Sequence, residues 1–457
     1  MDARGLGLLL PGGKWSPEAE AVDDFIMRSG QVIAVLVLTL FVFGVVMVAS
    51  AGLRPLRGAA TEIAIDPATH LSVYSDLDAK RSAELTGRRV LDTMLGKDGR
   101  LAMIALLALA IGALVPVERL AALKGLAAPA PWLLAAIIAL QLFTLVAGVE
   151  ARGATRWLGI GGLQFQPSEI AKWGLPAIIA WHCVRHADGM HRFLTGLLPP
   201  LVLSAIVCAL IAKEDLGTGV LLMSVCLAVT IVAGARLWQV ACLLPLGVVA
   251  FAGFVLAEPY RMKRIAAFLN PFQDPQDTGY QLIQSMGAIA EGGLAGRGLG
   301  HSLQKFEYLP FDHTDFIFAI ICEELGFFGA ALLIFVFAGI LLAGTSIIGG
   351  RSSPAGSDPE LAKAAVPDFS RLFGFGILLT FGLQSVINIA VVTGLAPTKG
   401  IALPLVSQGG TGWVLTAFSL GLLISMDRRA WAVSRRAGLT EAGEQTRLPQ
   451  DLTFGDA

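Results

Sequence analysis

Apolar residues fall along this chain in long runs separated by charged connections, without the short alternations of a soluble domain. Bounded by charges, the runs lie at about 30–53, 101–117, 127–149, 168–184, 195–212, 216–235, 237–257, 316–348, 371–394 and 405–426. A helix needs about 20 apolar residues to cross the hydrocarbon of a bilayer. The pattern predicts an all-α polytopic integral membrane protein with ten transmembrane helices. The run 101–117 barely reaches, and 168–184 qualifies with Glu169 and Lys172 at its mouth. An even number of crossings puts both ends on one side. One connection breaks the rhythm: 258–315, between the seventh and eighth helices, is long, polar and glycine-rich. It is expected to carry a short half-buried helix at 279–290, then a flexible re-entrant loop from Gly292 to Gly300.

Composition supports the membrane assignment. The 457 residues are 55% hydrophobic and 15% charged, where a soluble domain carries roughly 25% charged residues. A net charge of −1 gives no reason to expect a nucleic-acid partner. The five cysteines show no metal-ligand spacing and read as small packed hydrophobes. Met1 to Arg28 has mixed charges and no signal-peptide pattern. The stretch opening Asp427-Arg428-Arg429 and continuing to Arg436 marks the C-terminal side as cytoplasmic. The expected division is a cytoplasmic segment at 1–29, a membrane domain at 30–426 and a cytoplasmic tail at 427–457. Connections 54–100, 150–167, 213–215, 258–315 and 395–404 then face outside. The first of these opposes the charge rule with eight basic residues, nearly balanced by seven acids.

The outside connections each place ionisable groups at a membrane boundary. Arg156 precedes Gln166-Pro167-Ser168-Glu169, where Ser168 suits a helix N-cap. Glu169 and Lys172 share a helix face, either as a surface pair or with Lys172 turned toward a wet cavity. Asp215, beside Gly217 and Gly219, is the acid of its turn expected to be buried. Lys399 is the only charge between Arg371 and Asp427. It reads as a snorkelling lysine or as a cation at a polar cavity. The glycine- and proline-rich stretch around it is tolerated at membrane depth only where protein or water satisfies its backbone. Asp312 and Asp315 fit the N-cap and first turn of the next helix. Asp315, beside His313, equally suits a general base acting on a hydroxyl of a lipid-anchored substrate. Glu323 and Glu324 lie about two turns deeper, and at least one must face the bundle interior. Cations (Arg156, Lys172, Lys399) with a boundary carboxylate point to a protein that binds or processes an anionic amphiphile at the outer leaflet.

At these residues the sequence resembles the SEDS family (shape, elongation, division and sporulation proteins), polytopic peptidoglycan glycosyltransferases. The matching pieces are Arg156-Trp157-Leu158, Gln166 to Lys172, Asp215 to Gly219 and Asp277 to Ser285. The most specific are Tyr308-Leu309-Pro310, His313 to Ala319, Glu323 to Phe327, Pro397 to Gly400 and Leu403 to Ser407. The likeness runs in order over about 30–430, and Gln304–Pro310 and Gly394–Gly400 favour the cell-division branch over the elongation branch. It implies ten helices with both ends cytoplasmic and an active site on the large outside loop. It implies polymerisation of lipid II into β-1,4 glycan strands at the outer face of a bacterial cytoplasmic (inner) membrane, at the septum. Asp315 would be the general base. Arg156, Lys172 and Lys399 would stabilise the departing diphosphate, with Asp215, His313 and Ser407 completing the substrate site. A divalent cation, Mg or Mn, would fit the same chemistry. The implied partners are lipid II and the lipid-linked glycan strand, a class B penicillin-binding transpeptidase and other divisome proteins, with Glu307 at a position linked to activation. Three stretches depart from the family pattern, the first being the outside connection 54–100, which is longer than the family's. Pro310-Phe311-Asp312-His313 stands for Pro-Glu-x-His, and Ser407-Gln408-Gly409-Gly410-Thr411-Gly412 for Ser-Tyr-Gly-Gly-Ser-Ser. A precursor flippase and a non-catalytic scaffold for a transpeptidase are the competing readings.

Overall fold

The computed structural model describes residues 27–51, 96–151, 154–160, 163–302, 314–350, 368–408 and 410–445. The elements run α1 (Ser29–Ala51), α2 (Lys97–Leu114), α3 (Val117–Ala122), α4 (Pro129–Ala147), β1 (Val149–Ala151), β2 (Ala154–Ile160), β3 (Leu163–Phe165) and α5 (Pro167–Arg185). They continue with α6 (Leu198–Glu214), α7 (Leu216–Val232), α8 (Leu237–Leu256), α9 (Pro259–Leu269), α10 (Tyr280–Gly292), α11 (Ile317–Ile348), α12 (Asp368–Val392) and α13 (Thr411–Gln445).

A helix stands on each apolar run. Among the described residues six are long and apolar enough to cross a membrane: α1, α4, α6 with its lead-in from Phe193, α8, α11 and α12. The other four differ for visible reasons. Helix α2 opens on Lys97, Asp98 and Arg100, α5 carries Glu169 and Lys172, α7 has 17 residues, and α13 continues into Asp427-Arg428-Arg429. The buried centre lies where α1, α5, α7, α11 and α12 meet, with Ile33, Ile179, Leu222, Ile320 and Phe381 all inaccessible. Helices α2 and α13 cross on small residues: a side chain at Gly112 would strike the Phe418 carbonyl, and one at Gly421 the Leu109 carbonyl. Such close backbone approach is how membrane helices gain contact without a hydrophobic drive between them. Helix α8 stands apart, with Leu244, Leu246, Val248 and Val249 all exposed. An apolar surface of that kind suits lipid rather than water.

Three expectations change. The all-α description omits a three-stranded antiparallel sheet in 149–165, with Val149 opposite Trp157 and Leu158 opposite Phe165. Its strands are short and rich in β-formers (Thr155, Trp157, Ile160), a pattern hidden by the glycines and charges of the connection. Second, Ser168 does not cap α5. Pro167 takes the first helical position, where its fixed φ is already suitable, so the cap falls on Gln166 without a side-chain bond. Third, α11 begins at Ile317 with Phe316 as its cap, so Asp315 precedes the helix rather than joining its first turn. Asp312 lies outside the described residues.

The stretch from Gly292 to Gly300 is docked rather than free. Arg297 N–H donates to Glu323 O at 2.9 Å, Gly298 N–H to Glu324 O at 2.9 Å, and Phe327 N–H to Gly293 O at 2.9 Å. Helix α11 breaks there, at Gly326 with φ 64°. Gly293, Gly296, Gly298 and Gly300 also take positive φ, a region open to glycine without steric cost. A side chain at Gly296 would strike the Glu324 carbonyl, and one at Gly326 the Gly296 amide. These glycines permit a tight backbone seam. The break leaves about 33 Å of unbroken helix from Phe327 to Ile348, at about 1.5 Å per residue, close to one bilayer core of about 30 Å.

Candidate functional site

Helices α5, α7 and α12, the turn before α11 and the connection 393–410 converge on a cavity of about 230 Å³. Arg156, Lys172, Asp215, Asp315, Lys399 and Ser407 all line it. His313 and Glu307 lie outside the described residues.

Lys172 is 4% exposed. Its Nζ donates to Glu169 Oε1 at 2.7 Å and to Gln384 Oε1 at 3.0 Å, so the ammonium is turned inward and also paired. The second carboxylate oxygen of Glu169, Oε2, is buried without a partner among the described residues. It lies close to Gly412, where a Cβ would stand 3.4 Å away. Asp215 caps α7: its Oδ1 accepts the Thr218 N–H at 3.1 Å and its Oδ2 the Thr218 hydroxyl at 3.1 Å. The same carboxylate meets Arg156 Nη1 at 3.5 Å. That pair is too long and too exposed to add much stability, but it aims the guanidinium. Asp215 thus orients Arg156 while itself lining the cavity.

Lys399 lies on the connection, its Cδ 3.1 Å from where a Gly217 Cβ would stand. Burial lowers its pKa from the ordinary lysine value, and the negative charge of Asp215 works against that shift. Next to it, a Cβ on Gly400 would stand 3.2 Å from Asp315 Oδ2. The Asp315 carboxylate thus lies beside Gly400, where an added side chain would crowd it.

Two residues that sequence reasoning passed over hold this arrangement. Asn388 Nδ2 donates to Asp315 O at 2.8 Å and to Ile401 O at 2.7 Å. One turn earlier, Gln384 Nε2 donates to Ala402 O at 2.8 Å. The two amides on one face of α12 staple the connection and the Asp315 turn to a rigid helix. Their spacing of four within the apolar run 371–394 was the available signal. Ser407 fixes the next bend. Its Oγ accepts the Leu403 N–H at 2.8 Å and its carbonyl accepts Trp413 Nε1–H at 2.6 Å. Between them Leu405 takes φ 63°, a costly conformation for a branched residue, seated where α1 offers only Gly44. Gln408, at the family's tyrosine position, donates to Asp98 Oδ1 and Oδ2 at 3.0 and 2.9 Å. The departure thus has its own partner at the start of α2. Among the described residues no group of three or more acidic, histidine or cysteine side chains could hold a metal ion. Arg156, Lys172, Arg264 and Lys399 already line the cavity. Among the described residues the donor set does not fit a divalent cation.

A second polar cluster sits deeper along α11. Glu323 and Glu324 are both inaccessible. Glu324 Oε2 accepts the Ser50 hydroxyl at 2.6 Å, and its Oε1 the Ser302 N–H at 3.4 Å. Glu323 Oε2 accepts the Ser302 hydroxyl, and its Oε1 lies 3.5 Å from Arg297 Nη1. This cluster locks the seam between α1, α11 and the 292–302 stretch.

Comparison with known proteins agrees with the motifs. The sequence profile of the FtsW/RodA/SpoVE family, described as cell cycle protein, matches residues 70–431. The probable peptidoglycan glycosyltransferase FtsW of Escherichia coli O6:H1 is 40% identical over 301 residues, 65% of this chain and 69% of that protein. Stage V sporulation protein E of Bacillus subtilis is 39% identical over 283 residues, 62% of this chain and 73% of its own. Among solved structures, a chain of a peptidoglycan synthase complex that coordinates polymerisation and crosslinking aligns with TM-score 0.59 and 27% identity, covering 87% of this chain and 97% of its own. Rod shape determining protein RodA of Thermus thermophilus shares the fold at TM-score 0.53 and 23% identity, covering 87% and 95%. The profile match, the cavity motifs and the six apolar helices agree: this chain belongs to the SEDS family, the FtsW/RodA/SpoVE cell cycle proteins, and is a polytopic membrane protein.

Proposed function

We propose that this protein is a peptidoglycan glycosyltransferase that polymerises lipid II into β-1,4 glycan strands at the outer face of a bacterial cytoplasmic membrane, in septal wall synthesis. All ten apolar helices cross in this reading, with both ends cytoplasmic and 258–315 outside. The observation that carries it is the Asp315 carboxylate beside Gly400, in a cavity that Arg156, Lys172 and Lys399 also line.

A base, and cations for a leaving diphosphate, are what glycosyl transfer from a polyprenyl diphosphate requires. The acceptor hydroxyl gives its proton to Asp315 as its oxygen bonds to the anomeric carbon. The carbon–oxygen bond to the diphosphate breaks on the opposite face, and its electron pair leaves with the diphosphate. Configuration at that carbon inverts. Lys399 and Arg156 are placed to meet the charge that develops. Relatives carry the name peptidoglycan glycosyltransferase, and a structural neighbour belongs to a complex that joins polymerisation to crosslinking. A class B penicillin-binding transpeptidase, with other divisome proteins, is therefore the partner set of this reading, and Glu307 the position through which the transpeptidase acts.

The test is polymerisation of lipid II by the purified protein with its transpeptidase. Asp315→Ala is expected to abolish polymer while the protein stays folded. Polymer at a near-normal rate from that variant would overturn the base assignment. Lipid II translocation without polymer, in the wild type, would favour the flippase reading.

A further inference from the structure

Beside the main cavity lies a smaller one of about 100 Å³. The two share Arg156, Asp215, Arg264, Thr398, Lys399 and Gly400. These residues form the common rim of the two spaces, with Asp315 on the main-cavity side. On the far side the walls change character. Phe251 and Val255 of α8, Leu216 of α7 and Ile265 of α9 line the smaller space. Phe251 is 42% exposed, and its helix neighbours Val248 and Val249 are 64% and 69% exposed, on the helix whose surface suits lipid.

The corner that makes this space is built, not incidental. Arg261, 6% exposed, donates to Phe254 O at 2.6 Å, Lys213 O at 2.7 Å and Ala212 O at 3.1 Å. It ties the start of α9 to the ends of α6 and α8. One turn on, Arg264 Nη1 donates to Thr398 O at 3.3 Å, its only hydrogen bond among the described residues. Its guanidinium lies 5.8 Å from the Tyr260 ring centroid. A guanidinium steadied in this way keeps further donors for an anion.

We infer that the smaller cavity seats the diphosphate of the lipid-linked donor, with Arg264 as a binding residue and the polyprenyl chain leaving past Phe251 into the bilayer. This rests on the glycosyltransferase reading. An inverting displacement needs base and leaving group on opposite sides of the anomeric carbon; with that carbon at the common rim, Asp315 lies toward the main cavity and the diphosphate toward this space. Cations at the rim match a diphosphate, and apolar walls match the first isoprene unit. The volume, about 100 Å³, leaves no room for a long chain, so the chain must exit. In the step, the acceptor oxygen bonds to the anomeric carbon, the bond to the diphosphate oxygen breaks, the proton goes to Asp315 and the anionic diphosphate stays on Arg264 and Lys399.

The experiment uses the purified full-length chain and a diazirine-tagged geranylgeranyl diphosphate, with labelled peptides mapped after photolysis. Labelling is expected on α8 around Phe251 and Val255, competed by excess inorganic pyrophosphate. Arg264→Gln should cut it about tenfold, the loss of one charged contact, with Arg264→Lys recovering part. In the polymerisation assay Arg264→Gln should raise the KM for lipid II by a similar factor. Labelling spread equally over remote lipid-facing positions such as Leu332 and Phe335, or unchanged in Arg264→Gln, would overturn the site. Absence of polymer from the wild type sinks the glycosyltransferase reading, while labelling still reports on the pocket. Polymer without labelling at α8 sinks the pocket alone.

Discussion

Two acid clusters flank the start of α11, and they are built in opposite ways. At Glu323 and Glu324 both carboxylates are inaccessible, and their partners, Ser50, Ser302 and Arg297, are drawn from the elements they join. At Asp315 the carboxylate faces a cavity of about 230 Å³, and what surrounds it is held by other groups. Asn388 holds its peptide oxygen, Gln384 holds Ala402, and Asp215 holds Arg156. In the deep cluster polar groups satisfy one another, which is what a buried charge needs to be tolerated. In the shallow one Asp315, Arg156, Lys172 and Lys399 line a cavity, on a backbone that Asn388 and Gln384 hold. Burial of an acid therefore does not mark function here. Under the proposed function, orientation toward a cavity on a scaffold fixed by other residues does.

The largest effect that would break this comparison is at Asp315. Asp315→Asn keeps the shape and removes the base, so lipid II polymerisation should fall by about 10²–10⁴-fold with the melting temperature unchanged. A rate within a few-fold of wild type would place Asp315 with the structural acids. Glu324→Ala is the mirror test. It leaves the Ser50 hydroxyl and the Ser302 N–H without their buried acceptor, a cost of about 1–3 kcal/mol each. The thermal unfolding midpoint should drop clearly, while polymerisation per folded molecule stays near wild type. Lost activity with no loss of stability would make the deep cluster part of the chemistry.

The same contrast separates what could be read in the sequence from what could not. The apolar runs carried every long helix, because span length is a one-dimensional property. Lys399 stood out as the only charge between Arg371 and Asp427, and Asp315 as a carboxylate at the membrane boundary where the next apolar run begins. Asn388 and Gln384 did not, since an amide in an apolar run looks like an ordinary satisfied core residue until its carbonyl partners are known. The glycines from Gly292 to Gly300 suggested freedom. Their positive φ values instead serve contact with Glu323, Glu324 and Gly326, residues distant enough that no local pattern reports them. The sheet at 149–165 escaped for a similar reason: its pairing is invisible in a stretch scanned for charge.

Asn388 supplies the next, smaller test. It touches no substrate in this reading and acts through the position of Asp315. Asn388→Ala should lower kcat by roughly ten- to a hundredfold, the scale of a misplacement near 1 Å, and leave KM almost unchanged. Asn388→Asp should be no better, because it sets an acceptor against the carbonyls of Asp315 and Ile401. A change confined to KM, or a uniform loss explained by unfolding, would remove Asn388 as a positioning residue.

The smallest effect is a displacement of a pH profile. Lys399 must be charged to meet a developing diphosphate, and burial already moves its pKa below the ordinary lysine value. Its loss of charge should therefore set an alkaline limb at lower pH than an exposed lysine would. Asp215 opposes that shift, so removing its charge lets the pKa fall further. Asp215→Asn should move the alkaline limb of the polymerisation rate to lower pH. The amide oxygen can still accept the Thr218 N–H, so the cap on α7 and the stability it carries should survive. Loosening Arg156 would lower the profile at every pH without moving the limb, which separates the two roles of Asp215. Lys399→Arg should remove the limb, because a guanidinium keeps its proton. A limb that stays in place in Asp215→Asn, or moves to higher pH, would show that another group sets it and would take Lys399 out of the reacting set.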